Sequence, residues 1–165
     1  MDLETQYDRI YRYCYFKVHN SQVAEDITQE TFLRFFKKKL SLDSDKELPY
    51  LYTIARNLCI EEYRRISKEI SCEIIEQPIY DPSDDWTNSI TIKNIIKKLP
   101  DDEQEFLLLR YANEVPINSI CKITDLFRFA LYRKNTKILK FLKLELQKEG
   151  FPDEQKYKKS NSKSI

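Results

Sequence analysis

Residues 49–65, PYLYTIARNLCIEEYRR, decide how this chain is read. On a helical wheel Leu51, Ile54, Ala55, Leu58 and Cys59 fall on one side, and Thr53, Arg56, Asn57, Ile60, Tyr63 and Arg64 on the other. The spacing predicts a helix that buries one face and offers the other to a polar partner. An amide beside arginines suits nucleic acid, because Asn can pair with a base edge while Arg holds phosphates. Tyr50 and Tyr52 at the helix start, with Lys37, Lys38 and Lys39 across a polar loop, add ring faces on which an unpaired base can stack. Taken alone, the polar face fits ordinary solvation better, and tyrosines by themselves more often pack in a core; Asn57 beside the arginines tips the reading to nucleic acid.

Just upstream lies AEDITQETFLRFF, residues 24–36, inside a helix expected over about 22–39. Val23, Ala24, Ile27 and Phe35 form one apolar stripe, and Phe32, Leu33 and Phe36 a second, flanked by Asp26, Gln29 and Glu30. A small domain need bury only one stripe, so the second points to a partner surface rimmed by acids, or to a cover from elsewhere in the chain. Ile10, Tyr13, Cys14 and Val18 mark an amphipathic helix over 7–18. His19-Asn20-Ser21 ends it, with Ser21 the expected cap of the next helix. Residues 41–48 read as loop, and Pro49 as the opening of the third helix.

From 67 to 91 the periodicity lapses. Pro78 and Pro82 break it, and Glu69, Glu73, Glu76, Asp81, Asp84 and Asp85 stand against Lys68 alone, the pattern of an acidic flexible linker. Helical spacing resumes near Ile92, breaks at Leu99-Pro100-Asp101, and continues over 102–112. A short helix after Pro116, a turn at Thr124-Asp125 and a long helix over about 126–147 outline a helix-turn-helix. The expected fold is all-α. It comprises two small helical domains, 1–66 and 92–148, joined by the acidic linker 67–91 and followed by a basic disordered tail, 149–165.

Composition removes other classes. One glycine in 165 residues argues against phosphate-cradling loops and Rossmann crossovers. A net charge of +1 means that any affinity for nucleic acid comes from local patches. Cys14, Cys59, Cys72 and Cys121 are scattered and His19 is the lone histidine, so no metal is expected and the thiols read as reduced. No nucleophile–base pair or convergent carboxylate site suggests an enzyme, and no cofactor is implied. The polar N-terminus is unlike a signal peptide and no run spans a bilayer, so the expected place is the cytoplasm, without membrane insertion.

AEDITQETFLRFF followed by YLYTIARNLCIEEYRR resembles region two of the extracytoplasmic-function (ECF) group of bacterial sigma factors, and residues 95–146, with LPDDEQEFLLLRYANEVP, resemble region four. The resemblance implies a subunit that directs core RNA polymerase to promoter DNA, melts it and starts transcription. It assigns Asp26, Gln29, Glu30, Phe32, Leu33 and Phe36 to polymerase binding. Lys37, Lys38, Tyr50, Tyr52, Arg56, Asn57, Tyr63 and Arg64 go to the minus-ten element, with a flipped base near the loop. In the last helix Arg128, Tyr132, Arg133, Lys134 and Lys137 go to the minus-thirty-five element. The acidic linker would thread toward the polymerase active-site channel. Such factors are often held by an anti-sigma protein, and the sequence is compatible with one. Three departures stand out: Tyr50 occupies a position where the family commonly has Trp, the turn before the last helix lacks its usual glycine, and Asp125-Leu126-Phe127-Arg128-Phe129-Ala130-Leu131 is far more apolar than the family pattern, which fits either an atypical element or binding to the polymerase flap and an inhibitor. The competing reading, a stand-alone helix-turn-helix regulator, explains 102–146 but leaves the region-two match without a purpose.

Overall fold

The computed structural model describes residues 2–69 and 90–150; the linker expected over 67–91 and the tail expected over 149–165 lie almost wholly outside them. Every regular element among the described residues is helical. These are α1 (Leu3–Val18), α2 (Ser21–Lys38), a 3₁₀ turn (Lys39–Ser41), α3 (Ser44–Glu69), α4 (Ile90–Lys97), α5 (Asp101–Leu107), a π turn (Leu108–Ala112), α6 (Ile117–Thr124) and α7 (Arg128–Lys148). The chain divides into two compact units: Met1–Asp81 with Leu108–Leu126, and Pro82–Leu107 with Phe127–Ile165.

In the first unit α1, α2 and α3 pack on one another, and α6 lies against α3. The apolar side expected for α3 is the side it buries: Leu51, Ile54, Ala55, Leu58 and Cys59 are all at most 9% exposed, with Ile10, Tyr13, Cys14, Ala24, Ile27 and Phe35 around them. Tyr13 meets Tyr52 edge to face, ring centroids 5.6 Å apart. The Cys14 thiol sits beside Cys59, whose hydrogen bond draws it below the ordinary thiol range against the opposing effect of burial. Both are free cysteines, as is Cys121.

The helix ends differ from expectation in two places. His19 takes the left-handed conformation that closes α1, its N–H reaching Tyr15 O at 2.8 Å. Asn20, not Ser21, then caps α2, because its Oδ1 accepts from Val23 N at 3.0 Å and leaves Ser21 as the first helical residue. Helix α3 begins at Ser44, five residues before Pro49, in what the sequence suggested was loop. Proline removes one i→i−4 donor, which leaves Asp45 O without its helical partner. Lys122 of α6 approaches that carbonyl at 3.5 Å and the Asp45 carboxylate at 3.3 Å.

The second unit joins α4, α5 and α7, with α4 packed on α7. Ile95, Leu99, Phe106, Leu131 and Ile138 form its buried apolar set. The break at Leu99-Pro100 stands where the sequence put it: Pro100 O accepts from Glu103 N and Gln104 N at 3.0 Å, and Asp101, Asp102 and Glu103 fill the first turn of α5.

Candidate nucleic-acid and partner interface

Helix α2 is the organising element of the first unit. Its inner side carries Ala24, Ile27, Thr28, Thr31 and Phe35, the two threonine hydroxyls satisfied by donation to Ala24 O and Ile27 O at 2.7 Å. On the outer side Asp26 and Gln29 are exposed, Glu30 is half-buried, and Leu33 and Phe36 are 59% and 45% exposed. Phe32 is the exception in the proposed docking set. Only 7% of it is exposed, because Tyr7 of α1 stacks on its ring at a centroid distance of 5.4 Å. Tyr7 also donates to Glu25, and burial followed by that carboxylate pushes its phenol up to about 12. The second apolar stripe is thus divided: α1 covers Phe32 and leaves Leu33 and Phe36 to solvent.

Beside this stripe α2 and α3 flank a cleft of about 390 Å³ with Val23, Ile27 and Leu58 as apolar lining and Asp26, Glu30, Glu61 and Glu62 as acids. Arg65 joins the lining but is held by Glu62 at 2.6 Å and Glu69 at 3.0 Å. Glu30 is likewise held by Arg34 at 2.6 Å, so the negative surplus at this cleft comes from Asp26 and Glu61.

At the C-terminal end of α2 the charge reverses. Lys37 and Lys38 are exposed, Lys39 lies over the Phe36 ring at 5.9 Å, and Leu40 projects wholly into solvent. Across the loop Tyr50 is half-buried against Phe35, ring centroids 6.4 Å apart. Along α3, Asn57, Ile60 and Arg64 are exposed at i, i+3 and i+7, with Tyr63 70% exposed next to them.

Two of the expected minus-ten residues sit elsewhere. Tyr52 is fully buried and cannot stack on a base without rearrangement; its Oη meets no hydrogen-bond partner. Burial pushes its phenol well above the ordinary range, opposed by Asn113, which stands near without hydrogen-bond geometry, and by the charges of Arg9 and Arg12. Arg56 is half-buried, with Nη1 3.4 Å from Ile123 O of α6.

The reason is a knot that sequence reasoning missed. After the π turn, Glu114 enters the left-handed region at φ 53° and turns Asn113 inward, where it is fully buried. Asn113 Nδ2 donates to Arg9 O at 2.9 Å, and its Oδ1 accepts from Arg12 Nη1 at 3.1 Å. Arg12 Nη1 also reaches Ala112 O at 3.0 Å, and Arg9 pairs with Glu114 at 2.8 Å. These contacts pin residues 112–114 to α1. The only signal in the sequence was a polar Asn-Glu pair between apolar neighbours, which is equally the signal of a turn.

In the second unit the expected α7 residues separate into two groups. Lys134 is bonded to Asp102, and Lys137 to the buried Glu103 at 2.8 Å. Arg128, Tyr132 and Arg133 are exposed. The turn before α7 lacks glycine, yet Asp125 adopts φ 56°, the left-handed conformation that Asp tolerates better than most residues.

Residues 3–69 match the family model described as Sigma-70 region 2. The chain is 30% identical over 158 residues to the RNA polymerase sigma factor YlaC of Bacillus subtilis, covering 89% of each protein. It is 31% identical over 136 residues to the ECF RNA polymerase sigma factor SigW of the same organism, covering 72% of this chain and 73% of SigW. The chain belongs to the ECF sigma factors of RNA polymerase. Its fold also resembles that of the sigma factor RpoE of Bartonella quintana, solved with the anti-sigma factor NepR, at a TM-score of 0.67 and 18% identity over 86% of this chain and 91% of that one.

For this sigma factor, the region-two match spans α1 to α3 and so contains the acidic cleft, the exposed Leu33–Phe36 stripe and the lysine-rich end of α2. Among the described residues no helix is long and apolar enough to cross a membrane, and no group of three or more His, Cys, Asp or Glu could hold a metal ion.

Proposed function

We propose that this ECF sigma factor docks on core RNA polymerase through the outer face of α2 and opens promoter DNA on the adjoining α2–α3 surface. The observation that carries the reading is the pair Leu33 and Phe36, left in solvent on a helix whose other side is already packed, with Asp26, Gln29 and Glu30 beside them. Apolar groups beside Asp26, with Glu61 in the adjoining cleft and Glu30 paired to Arg34, suit an amphipathic partner with some basic character such as a polymerase helix.

Melting needs no hydrolysis. A surface that binds the unpaired strand better than the duplex shifts the equilibrium toward the open form. Trapping one or two splayed bases offsets stacking of roughly 1–2 kcal/mol per step. Lys37 and Lys38 supply phosphate contacts, Tyr50 and Tyr63 ring faces, and Asn57 with Arg64 the polar contacts along α3. Tyr52 supports these from the core. Arg56 joins them when the α6 segment moves aside. Residues 92–148 act as the region-four helix-turn-helix, with Arg128, Tyr132 and Arg133 at the minus-thirty-five element, and the acidic linker runs into the polymerase channel. The protein works in the cytoplasm. An anti-sigma protein covering the α2 face would silence it, as the pairing of RpoE with NepR suggests for a protein of the same fold.

Run-off transcription with bacterial core polymerase on DNA upstream of its own gene tests the reading. Discrete transcripts that Asn57→Ala abolishes, together with core binding that Leu33→Asp weakens about tenfold while leaving thermal stability unchanged, are the expected results. Failure of the wild-type protein to bind core polymerase would overturn it.

A further inference from the structure

The second unit exposes more aromatic surface than its fold requires. Phe127 and Phe129 are 86% and 83% exposed and Tyr132 is 50% exposed, whereas Leu131 and Ile138 of the same helix are buried. Phe129, Tyr132, Arg133, Thr136 and Lys140, spaced along one face of α7, line a shallow cleft of about 530 Å³. Between residues 126 and 144 there are six basic residues and no acidic one; Lys134 and Lys137 pair with Asp102 and Glu103 of α5, and Arg133 and Lys140 supply the positive charge at the cleft. Apolar rings in a cationic surround fit a polyanion that also offers apolar groups.

We propose that Phe129 makes the first turn of α7 a thymine-reading surface in the major groove of the upstream promoter element. The inference rests on the reading that α7 enters duplex DNA. The residue types point to the base. Adenine is read by Asn or Gln and cytosine by a carboxylate, and residues 126–134, LFRFALYRK, contain none of these. Guanine remains open to the arginines. For Phe129 the apolar group on a major-groove base edge is the thymine C5-methyl. The exposed ring of Phe129 and the guanidinium of Arg133, one turn further on, let the same face hold a methyl and a phosphate.

The test uses the full-length protein assembled with bacterial core polymerase. Promoter templates randomised over the upstream duplex are selected by transcription, and the winners are resynthesised with deoxyuridine replacing thymine there, which removes the methyl groups alone. Selection is expected to enrich thymine, and each lost methyl to lower open-complex formation about fourfold, from the transfer of one buried carbon. Phe129→Ala should lose that sensitivity and Phe129→Leu should retain most of it. Enriched thymine with no uracil effect overturns the proposal, because methyls are then not read. A Phe129→Ala variant that binds core polymerase more weakly on every template also overturns it and makes the face a protein contact. No base preference in the upstream element sinks the placement of α7 in the duplex, and the inference with it.

Discussion

Replacing Asn113 by Ala removes the side chain that ties residues 112–114 to α1. Two hydrogen bonds go: the one to Arg9 O at 2.9 Å and the one from Arg12 at 3.1 Å, the second charge-assisted. A neutral bond contributes about 1 kcal/mol and one to a charged group about 1.5–3 kcal/mol, but Arg12 keeps Ala112 O at 3.0 Å and is only part-buried. The net loss should therefore be about 2–3 kcal/mol, felt first by the segment that Asn113 holds, α6 included. Opening of that segment would become roughly 30- to 150-fold more frequent. Amide hydrogen exchange reads this directly, with Ile120 and Ile123, buried in α6, as reporters and Thr31, buried in α2, as reference. The expected result is faster exchange at Ile120 and Ile123 with little change at Thr31. Asn113→Asp should give a smaller increase, because it keeps the acceptor for Arg12 while losing the donor to Arg9 O. Equal acceleration at all three sites would mean that α6 unfolds only with the whole unit, and would refute the reasoning.

Tyr52→Phe removes a buried hydroxyl that has no partner, so it should leave the protein as stable or raise its stability by up to about 1 kcal/mol, measured by chemical denaturation. A clear loss would show that Oη is hydrogen-bonded. In the second unit, hydrogen bonds from Lys148 and then Lys98 bring Glu145 down to about 2, and Lys134 lowers Asp102. Carboxylates whose folded-state pKa is depressed contribute stability above the ordinary carboxylate range and lose it as pH falls through the depressed value. Thermal melts should therefore weaken progressively between about pH 4.5 and 2 in this unit. Glu145→Gln should flatten part of that decline, and an unchanged profile would count against the pairing.

What the sequence made legible follows the range of the interactions involved. The stripes of α1 and α3 and the break at Leu99-Pro100 were readable because helical periodicity and proline act within a few residues. Pro49 misled because proline at a helix start and proline in a second turn look alike locally. The partner that accommodates the second case, Lys122 at the Asp45 carbonyl, is 77 residues away. Tyr52 and Phe32 misled for a related reason. Both lie at the edge of an apolar stripe, and whether an edge residue is covered depends on a neighbour, here Tyr13 with the Asn113 segment in one case and Tyr7 in the other.

Charge shows the same division between composition and placement. A net +1 says little about a chain whose opposite charges are segregated, because fields decay over about 8–10 Å at ordinary salt. The α2–α3 cleft gathers Asp26, Glu30, Glu61 and Glu62, while α7 runs from 126 to 144 without an acid. Counting lysines along α7 overstates its basic face, since Lys134 and Lys137 bond Asp102 and Glu103 from the first turn of α5. Those pairs leave Arg133 and Lys140 beside the cleft lined by Phe129 and Tyr132. On the proposed reading of α7 as a DNA-binding helix, its phosphate grip is thinner than its lysine count suggests. Phosphate contacts carry no sequence information directly, so on that reading discrimination falls to the groups at base edges, which is why the removal of single methyl groups from thymine is the informative perturbation.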